Sequence, residues 1–260
     1  MPISIQESSM NEQNIHLSPS RSESRDSPAK AFARRLRRDR AAVAGCIIVT
    51  AIVILAVFAS LMPYDPYKQS YDELLLHPSW SHPLGTDQYG RDLLTRIIYG
   101  CRYALLIGVG AVTIQFTIGV SLGLIAGYYG KMIDQIIMRL TDVMLAIPSV
   151  VLAVTIAGFL GGGIQNVIIA VGAIGWRAYT RLVRAKVIST KEEVFVESAK
   201  AIGCSNLRII LRHILPHTLG PVIAYTSLSV GVAILWAAAL SFLGLGAQSP
   251  TPEWGAMLAD

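Results

Sequence analysis

Few side chains in this chain stand at spacings that could do chemistry. His213 and His217 lie four residues apart, the interval that places two metal ligands on one helix face. Pro216 falls between them and interrupts that helix, so a structural place for the pair is the stronger reading. His77 and His82 match no helix-face pair, and a proline adjoins each. Cys46, Cys101 and Cys204 show neither metal-ligand nor disulfide spacing. Gly127-Tyr128-Tyr129-Gly130-Lys131 lacks both the spacing and the hydroxyl residue of a phosphate loop. No nucleophile–base pair or carboxylate pair stands at a convincing interval. Neither catalytic residues nor a metal site are expected.

The elements that would position such residues are apolar. The chain has 260 residues, 53% hydrophobic and 15% charged, which fits a polytopic membrane protein and not a soluble domain. The expected fold is all-α, a transmembrane helical bundle. The net charge of +5 is clustered, which argues for membrane topology over nucleic-acid binding. Residues 1–28 read as a disordered tail with no signal peptide. Lys30, Arg34, Arg35, Arg37, Arg38 and Arg40 form a basic flank that suits anionic lipid. The expected division is therefore a cytosolic tail, 1–40, and a transmembrane domain, 41–260.

Five spans are expected, at about 41–61, 103–129, 143–160, 165–181 and 218–245. Gly161-Gly162-Gly163 separates the third from the fourth, and Pro148 should kink the third. Gly119, Gly123 and Gly127 recur at four-residue steps on one face. Small residues at that interval let helix backbones approach, and a flexible substrate-lining face is the alternative. Trp176 and Tyr179 are placed at the inner interface. Arg177, Arg181, Arg184 and Lys186 are taken to snorkel to headgroups, and no charge is expected within any of the five spans. Basic residues before 41 and after 176 both belong in the cytosol, and four spans between them satisfy both.

One charged stretch, 192–216, lies among these apolar segments: EEVFVESAKAIGCSNLRIILRHILP. It reads as two short helices, about Glu192 to Ile202 and one capped by Asn206, bent at Gly203 and closed by Pro216. Ile209, Ile210 and Leu211 would face a greasy surface. Glu197-Ser198-Ala199, then Gly203, then His213-Ile214-Leu215-Pro216 resembles the EAA loop of ABC importer permeases. Ser198 stands where that pattern has Ala, and His213 where Ile is usual. A second motif, Gly85-Thr86-Asp87 with Gly90-Arg91-Asp92, resembles the signature of the C-type permease of dipeptide, oligopeptide and nickel importers. The segments RLTDVMLAIP (139–148), FLGLG and PTPEWG are similar to that subunit as well. The resembled family continues into a sixth span beyond the point where this sequence stops.

The resemblance implies a permease subunit with no ATP site of its own in the bacterial inner membrane, N-terminus in the cytosol. It implies a sister permease, two cytosolic ATPase subunits holding ATP and magnesium, and an external substrate-binding protein. Glu197, Ala199 and Gly203 would shape the coupling loop, Ile209 and Leu211 would be buried against the ATPase, and Pro216 would end the unit. Gly85, Thr86, Asp87, Gly90, Arg91 and Asp92 would shape the external mouth. Peptide is preferred over nickel, because Met132, Met138 and Met144 fall at six-residue steps that share no helix face. A secondary carrier and a non-transporting scaffold are the rival readings.

Overall fold

The computed structural model describes residues 39–260, so the expected tail and basic flank up to residue 38 lie outside the described residues. By internal contacts the chain divides into residues 1–49 and 50–260. In the first, Asp39 Oδ1 accepts the N–H groups of Ala41 (3.0 Å) and Ala42 (3.2 Å). These bonds satisfy donors that the opening turn of a helix leaves free. That helix, α1 (Arg40–Phe58), is apolar on every side, and a 3-10 turn closes it at Leu61.

The second unit holds seven further helices among the described residues and no strand. They are α2 (Leu93–Tyr129), α3 (Lys131–Ala146), α4 (Ser149–Leu160), α5 (Ile164–Thr190), α6 (Val194–Ala201), α7 (Asn206–Phe242) and α8 (Trp254–Ala259). The expected all-helical fold is what forms. Its framework is the contact of α2 with α5, the most extensive between any two helices. Gly119, Gly123 and Gly127 of α2 lie against Tyr179, Val183 and Val187 of α5. A Cβ at these glycines would stand 2.4–2.7 Å from the Cβ of its partner, closer than two carbons can approach. The small-residue stripe therefore packs one helix on another. Both series ascend together, so α2 and α5 run parallel, and α3 and α4 must carry the chain back between them.

That return begins earlier than the span expected at 143–160 and is broken where Pro148 was expected to kink it. The two helices meet at 91° across Ile147 and Pro148. Pro148 has no N–H to continue α3 and disfavours helical geometry at the residue before it, and Ile147 is extended. Among the described residues three helical rods are long and apolar enough to cross a membrane: Arg40–Leu61, Leu93–Tyr129 and Asn206–Phe242. The bent pair would be a fourth. α5 is not among them and carries Arg177, Arg181, Arg184 and Lys186. It nevertheless lies along the spanning α2, and its apolar face is buried there. The fourth expected span, 165–181, is the first two-thirds of this longer helix.

The interface placements on α5 need correction. Trp176 and Tyr179 are buried in the helix packing, and the Tyr179 hydroxyl donates to Thr226 Oγ1 on α7 (3.2 Å). Arg184 does not snorkel: it makes a two-pronged bond to Asp134 of α3 (2.5 and 2.6 Å). Arg181 bonds Asp142 of α3 at 2.6 Å. The polar side of α3 is thereby turned to α5, leaving Met132, Ile136, Leu140 and Val143 exposed. Arg177 is 5% exposed, so the segment expected as the fourth span holds a buried charge.

Gly123→Val should overpack the α2–α5 seam and cost about 1–3 kcal/mol. Gly158→Val, at a glycine with open space around it, is the control and should change little. Thermal unfolding of the purified chain in detergent reads the difference.

Candidate functional site

Two clusters hold the residues singled out from the sequence, and α2 separates them. Asp92 caps its first turn, accepting the N–H of Thr95 at 2.8 Å. Near its last turn the Tyr128 hydroxyl donates to Asn206 Oδ1 (2.7 Å), and Lys191 Nζ donates to Gly127 O (3.2 Å). A helix of 37 residues is about 55 Å long, more than the hydrocarbon core is thick. The motif at 85–92 and the charged stretch at 192–216 are thus at opposite ends of a membrane-length rod and share no site.

At the first end the motif folds on itself. Gly90 has φ +71°, and a Cβ there would stand 1.8 Å from the Ser70 carbonyl, so only glycine fits. Gly85 is also left-handed, with φ +78°. Thr86 Oγ1 donates to Glu73 O (2.5 Å) and accepts the N–H of Leu76 (2.8 Å), which ties down the preceding loop. The Arg91 side chain is fully buried. Its Nε donates to Asp87 Oδ2 at 2.6 Å and its Nη2 to Asp260 Oδ2 at 3.0 Å. Arg96, unmarked in the sequence reading, is equally buried and donates to the carbonyls of Pro66 (2.9 Å) and Pro250 (3.1 Å). Its Nε lies 3.5 Å from Asp87 Oδ2 and has no hydrogen-bond partner among the described residues. Asp92 also takes His82 Nδ1 at 3.0 Å, with the His82 ring against Tyr64. Burial, and then a 2.5 Å hydrogen bond with Tyr103, push the Tyr67 phenol up to about 12, so it stays neutral. Arg91 and Asp92 are neither solvated nor free: this end is a buried, mutually neutralising lattice.

At the other end the bend forms as expected, with shorter helices. α6 starts after Glu193 and ends at Ala201. The N–H of Cys204 bonds Ala199 O (3.1 Å) and that of Gly203 bonds Lys200 O (3.0 Å). That pair of bonds is a Schellman turn, and it requires the φ of +80° that Gly203 adopts. Ala199 is buried beneath it and Glu197 is exposed. Asn206 does not cap the next helix; Ser205 occupies the cap position without a side-chain bond, and Asn206 is taken by Tyr128. Ile209–Ile214 forms a π turn that ends two residues before the exposed Pro216, which has no N–H to donate into the helix.

Ile209 and Leu211 do not act as a pair. Ile209 is 0% exposed and packs in the core with Val196 and Ala199, whereas Leu211 is 52% exposed. Residues two apart on a helix face opposite ways, which the shared assignment overlooked. The exposed apolar side chains of this end are Val194, Ile202, Leu207 and Leu211. A shallow groove lined by Val194, Phe195, Ser198, Ile202 and His213 lies among them. His217 is stacked on Phe195 and not paired with His213 as a ligand. Among the described residues no group of three or more His, Cys, Asp or Glu could hold a metal ion.

Arg177 and Gln115 were missed. Both are buried where α2, α4, α5 and α7 surround a cavity. A buried arginine inside an apolar helix is itself a signal, and reading it as a headgroup contact hid it.

Residues 119–260 match the family described as binding-protein-dependent transport system inner membrane component, and residues 27–78 match the N-terminal TM domain of oligopeptide transport permease C. The chain is 48% identical over 235 residues to the dipeptide transport system permease protein of Alkalihalophilus pseudofirmus, covering 90% of this chain and 77% of that one. It is 44% identical to the di/tripeptide permease protein of Pseudomonas aeruginosa, covering 90% and 80%. It is 42% identical to the glutathione permease protein of Pectobacterium atrosepticum, covering 90% and 78%.

Replacing Asp87 by Asn should leave two buried guanidinium groups undercompensated and cost about 3–5 kcal/mol. Denaturant unfolding of the detergent-solubilised chain measures it, and Asp72→Asn, in the exposed 3-10 turn, should be neutral.

Proposed function

The chain belongs to the family of inner-membrane permease components of binding-protein-dependent transport systems, and on that premise we propose that it is one half of the translocation path of an ATP-driven peptide importer. The names of the curated relatives support the peptide cargo. The partners in this reading are a sister permease, two cytosolic ATPase subunits carrying ATP and magnesium, and an external binding protein that delivers cargo. The N-terminus and the 192–216 stretch lie in the cytosol of an inner-membrane protein, as the basic residues flanking the spans favour.

One observation carries the coupling role: a rigid helical turn with an exposed apolar crest, fixed to the membrane rods from below. α6 is held through Val196, Ala199 and Ile209, and its turn is closed by Gly203. Val194, Ile202, Leu207 and Leu211 remain uncovered on top. A short amphipathic helix presented this way suits a groove in a partner. Ile209, on α7, transmits the motion because it packs in the core with Val196 and Ala199 of α6, and Leu211 meets the partner. Glu197 rims the contact. ATP-dependent closure of the ATPases moves the turn, and the rods follow only if the turn binds the two ATPase states with different free energies. The motif end forms the external mouth, with its arginines spent on structure.

The test is ATP-dependent dipeptide uptake by the reconstituted transporter. Ile202→Glu and Leu207→Glu should lower uptake by about tenfold or more, since a carboxylate forced into an apolar contact goes unsatisfied. Gly203→Ala should strain the turn by about 1–2 kcal/mol without any steric clash, and weaken uptake less. Full uptake by all three variants would refute the assignment.

A further inference from the structure

The cavity between α2, α4, α5 and α7 measures about 210 Å³. It lies halfway along the rods: Arg177 is at the middle of the 27-residue α5, and Tyr225 and Ser229 are near the middle of α7. Its walls are mostly aliphatic, but its polar groups are incompletely used. The Arg177 guanidinium donates to Ile174 O (2.8 Å), to Met144 O and to Ser149 Oγ (3.0 Å). A guanidinium has five N–H groups, so two are left over. Gln115, 6% exposed, donates its amide N–H to Val171 O (3.1 Å), while its amide oxygen has no hydrogen-bond partner among the described residues. Tyr225 and Trp236 line the same space, and neither the hydroxyl nor the indole N–H has a hydrogen-bond partner among the described residues. Gly175 makes room for the Gln115 amide, since a Cβ there would stand 2.1 Å from its carbon.

Charge and shape agree on an occupant. Arg177 is a buried cation with spare donors. Ser149 begins α4 and lines the cavity, so the positive end of that helix dipole adds to the same field. A broken helix that turns its N-terminal end to a midplane cavity is an arrangement that receives anionic substrate groups. The Gln115 oxygen accepts an amide N–H. The volume admits the end of a chain and not a long peptide.

We infer that this cavity is a transient cargo subsite that takes the C-terminal carboxylate of a short peptide, Arg177 binding the carboxylate and Gln115 and Tyr225 the adjoining amide. The inference rests on the peptide-import reading and adds to it the group by which the path itself holds cargo. Arg177 has a second duty, since its bonds to Met144 O and Ser149 Oγ bridge the break between α3 and α4. Cargo at the free N–H groups is thereby felt at the bend.

The experiment is equilibrium binding of radiolabelled alanyl-phenylalanine and of its C-terminal amide to the purified permease–ATPase complex in nanodiscs, without binding protein. The unaltered complex should bind the free carboxylate about tenfold more tightly than the amide, the usual scale for one charge-assisted pair. Arg177→Gln should bring the carboxylate form down to the amide's level and leave the amide unchanged. Tyr225→Phe should weaken both forms alike. Equal binding of both peptides by the unaltered complex overturns the inference, as does a preference that survives Arg177→Gln. The comparison on the unaltered complex decides even if Arg177→Gln does not assemble. Uptake measured in parallel with binding protein present separates the failures: intact peptide uptake without carboxylate preference overturns only the subsite, whereas no peptide uptake overturns the import reading.

Discussion

The backbone approach of α2 to α5 is the constraint from which the rest follows. Three glycines four residues apart remove the side chains that would hold the helices apart, and Tyr179, Val183 and Val187 fill the space. In a bilayer, where lipid tails are as apolar as leucine, this close packing is what binds helix to helix. It also sets direction. Because α2 and α5 are parallel, the bent α3–α4 return is obligatory, and the loop after α5 must emerge where α2 ends. Lys191 and Asn206 then meet Gly127 and Tyr128, and the charged turn acquires a fixed seat.

The two ends of this framework spend polar residues differently. At the motif end, charges are buried against one another: Arg91 and Arg96 against Asp87 and Asp260, with backbone carbonyls completing the shell. Such a lattice is costly to break, because removing one partner leaves a buried charge uncompensated. At the other end the polar backbone groups are satisfied locally by the Schellman turn, and apolar side chains are left outside. A surface of that kind is complete only with a partner. Between the ends, at mid-depth, the cavity beside Arg177 brings together buried polar groups that keep unused capacity.

Much of this was legible in the sequence because the signals were local. Period-four glycines announced a helix seam, Gly203 its turn, and Pro148 its break, and each rests on backbone sterics that need no tertiary context. The misreadings came from residues whose partners are distant in the chain. Arg181 and Arg184 looked like headgroup contacts because Asp142 and Asp134 lie about 39 and 50 residues away. Arg177 looked alike for the same reason. Ile209 was assigned outward because its core contacts with Val196 and Ala199 depend on how the turn folds back. Arg96 went unnoticed because nothing in its local pattern marks a buried cation. The motif residues Gly85 to Asp92 could be recognised by resemblance, but their job, a charge lattice closed by Asp260, only appears when residues 169 apart are brought together.

In the importer proposed here, an ATPase takes hold at the turn 194–214. The test is recovery of the tagged chain from its native membrane in mild detergent, with the partners identified by mass, beside a variant carrying Val194→Glu and Leu211→Glu. A second permease and ATPase subunits should accompany the unaltered chain, and the second permease alone the variant. Recovery of the unaltered chain without an ATPase, or undiminished ATPase with the variant, would contradict that attachment.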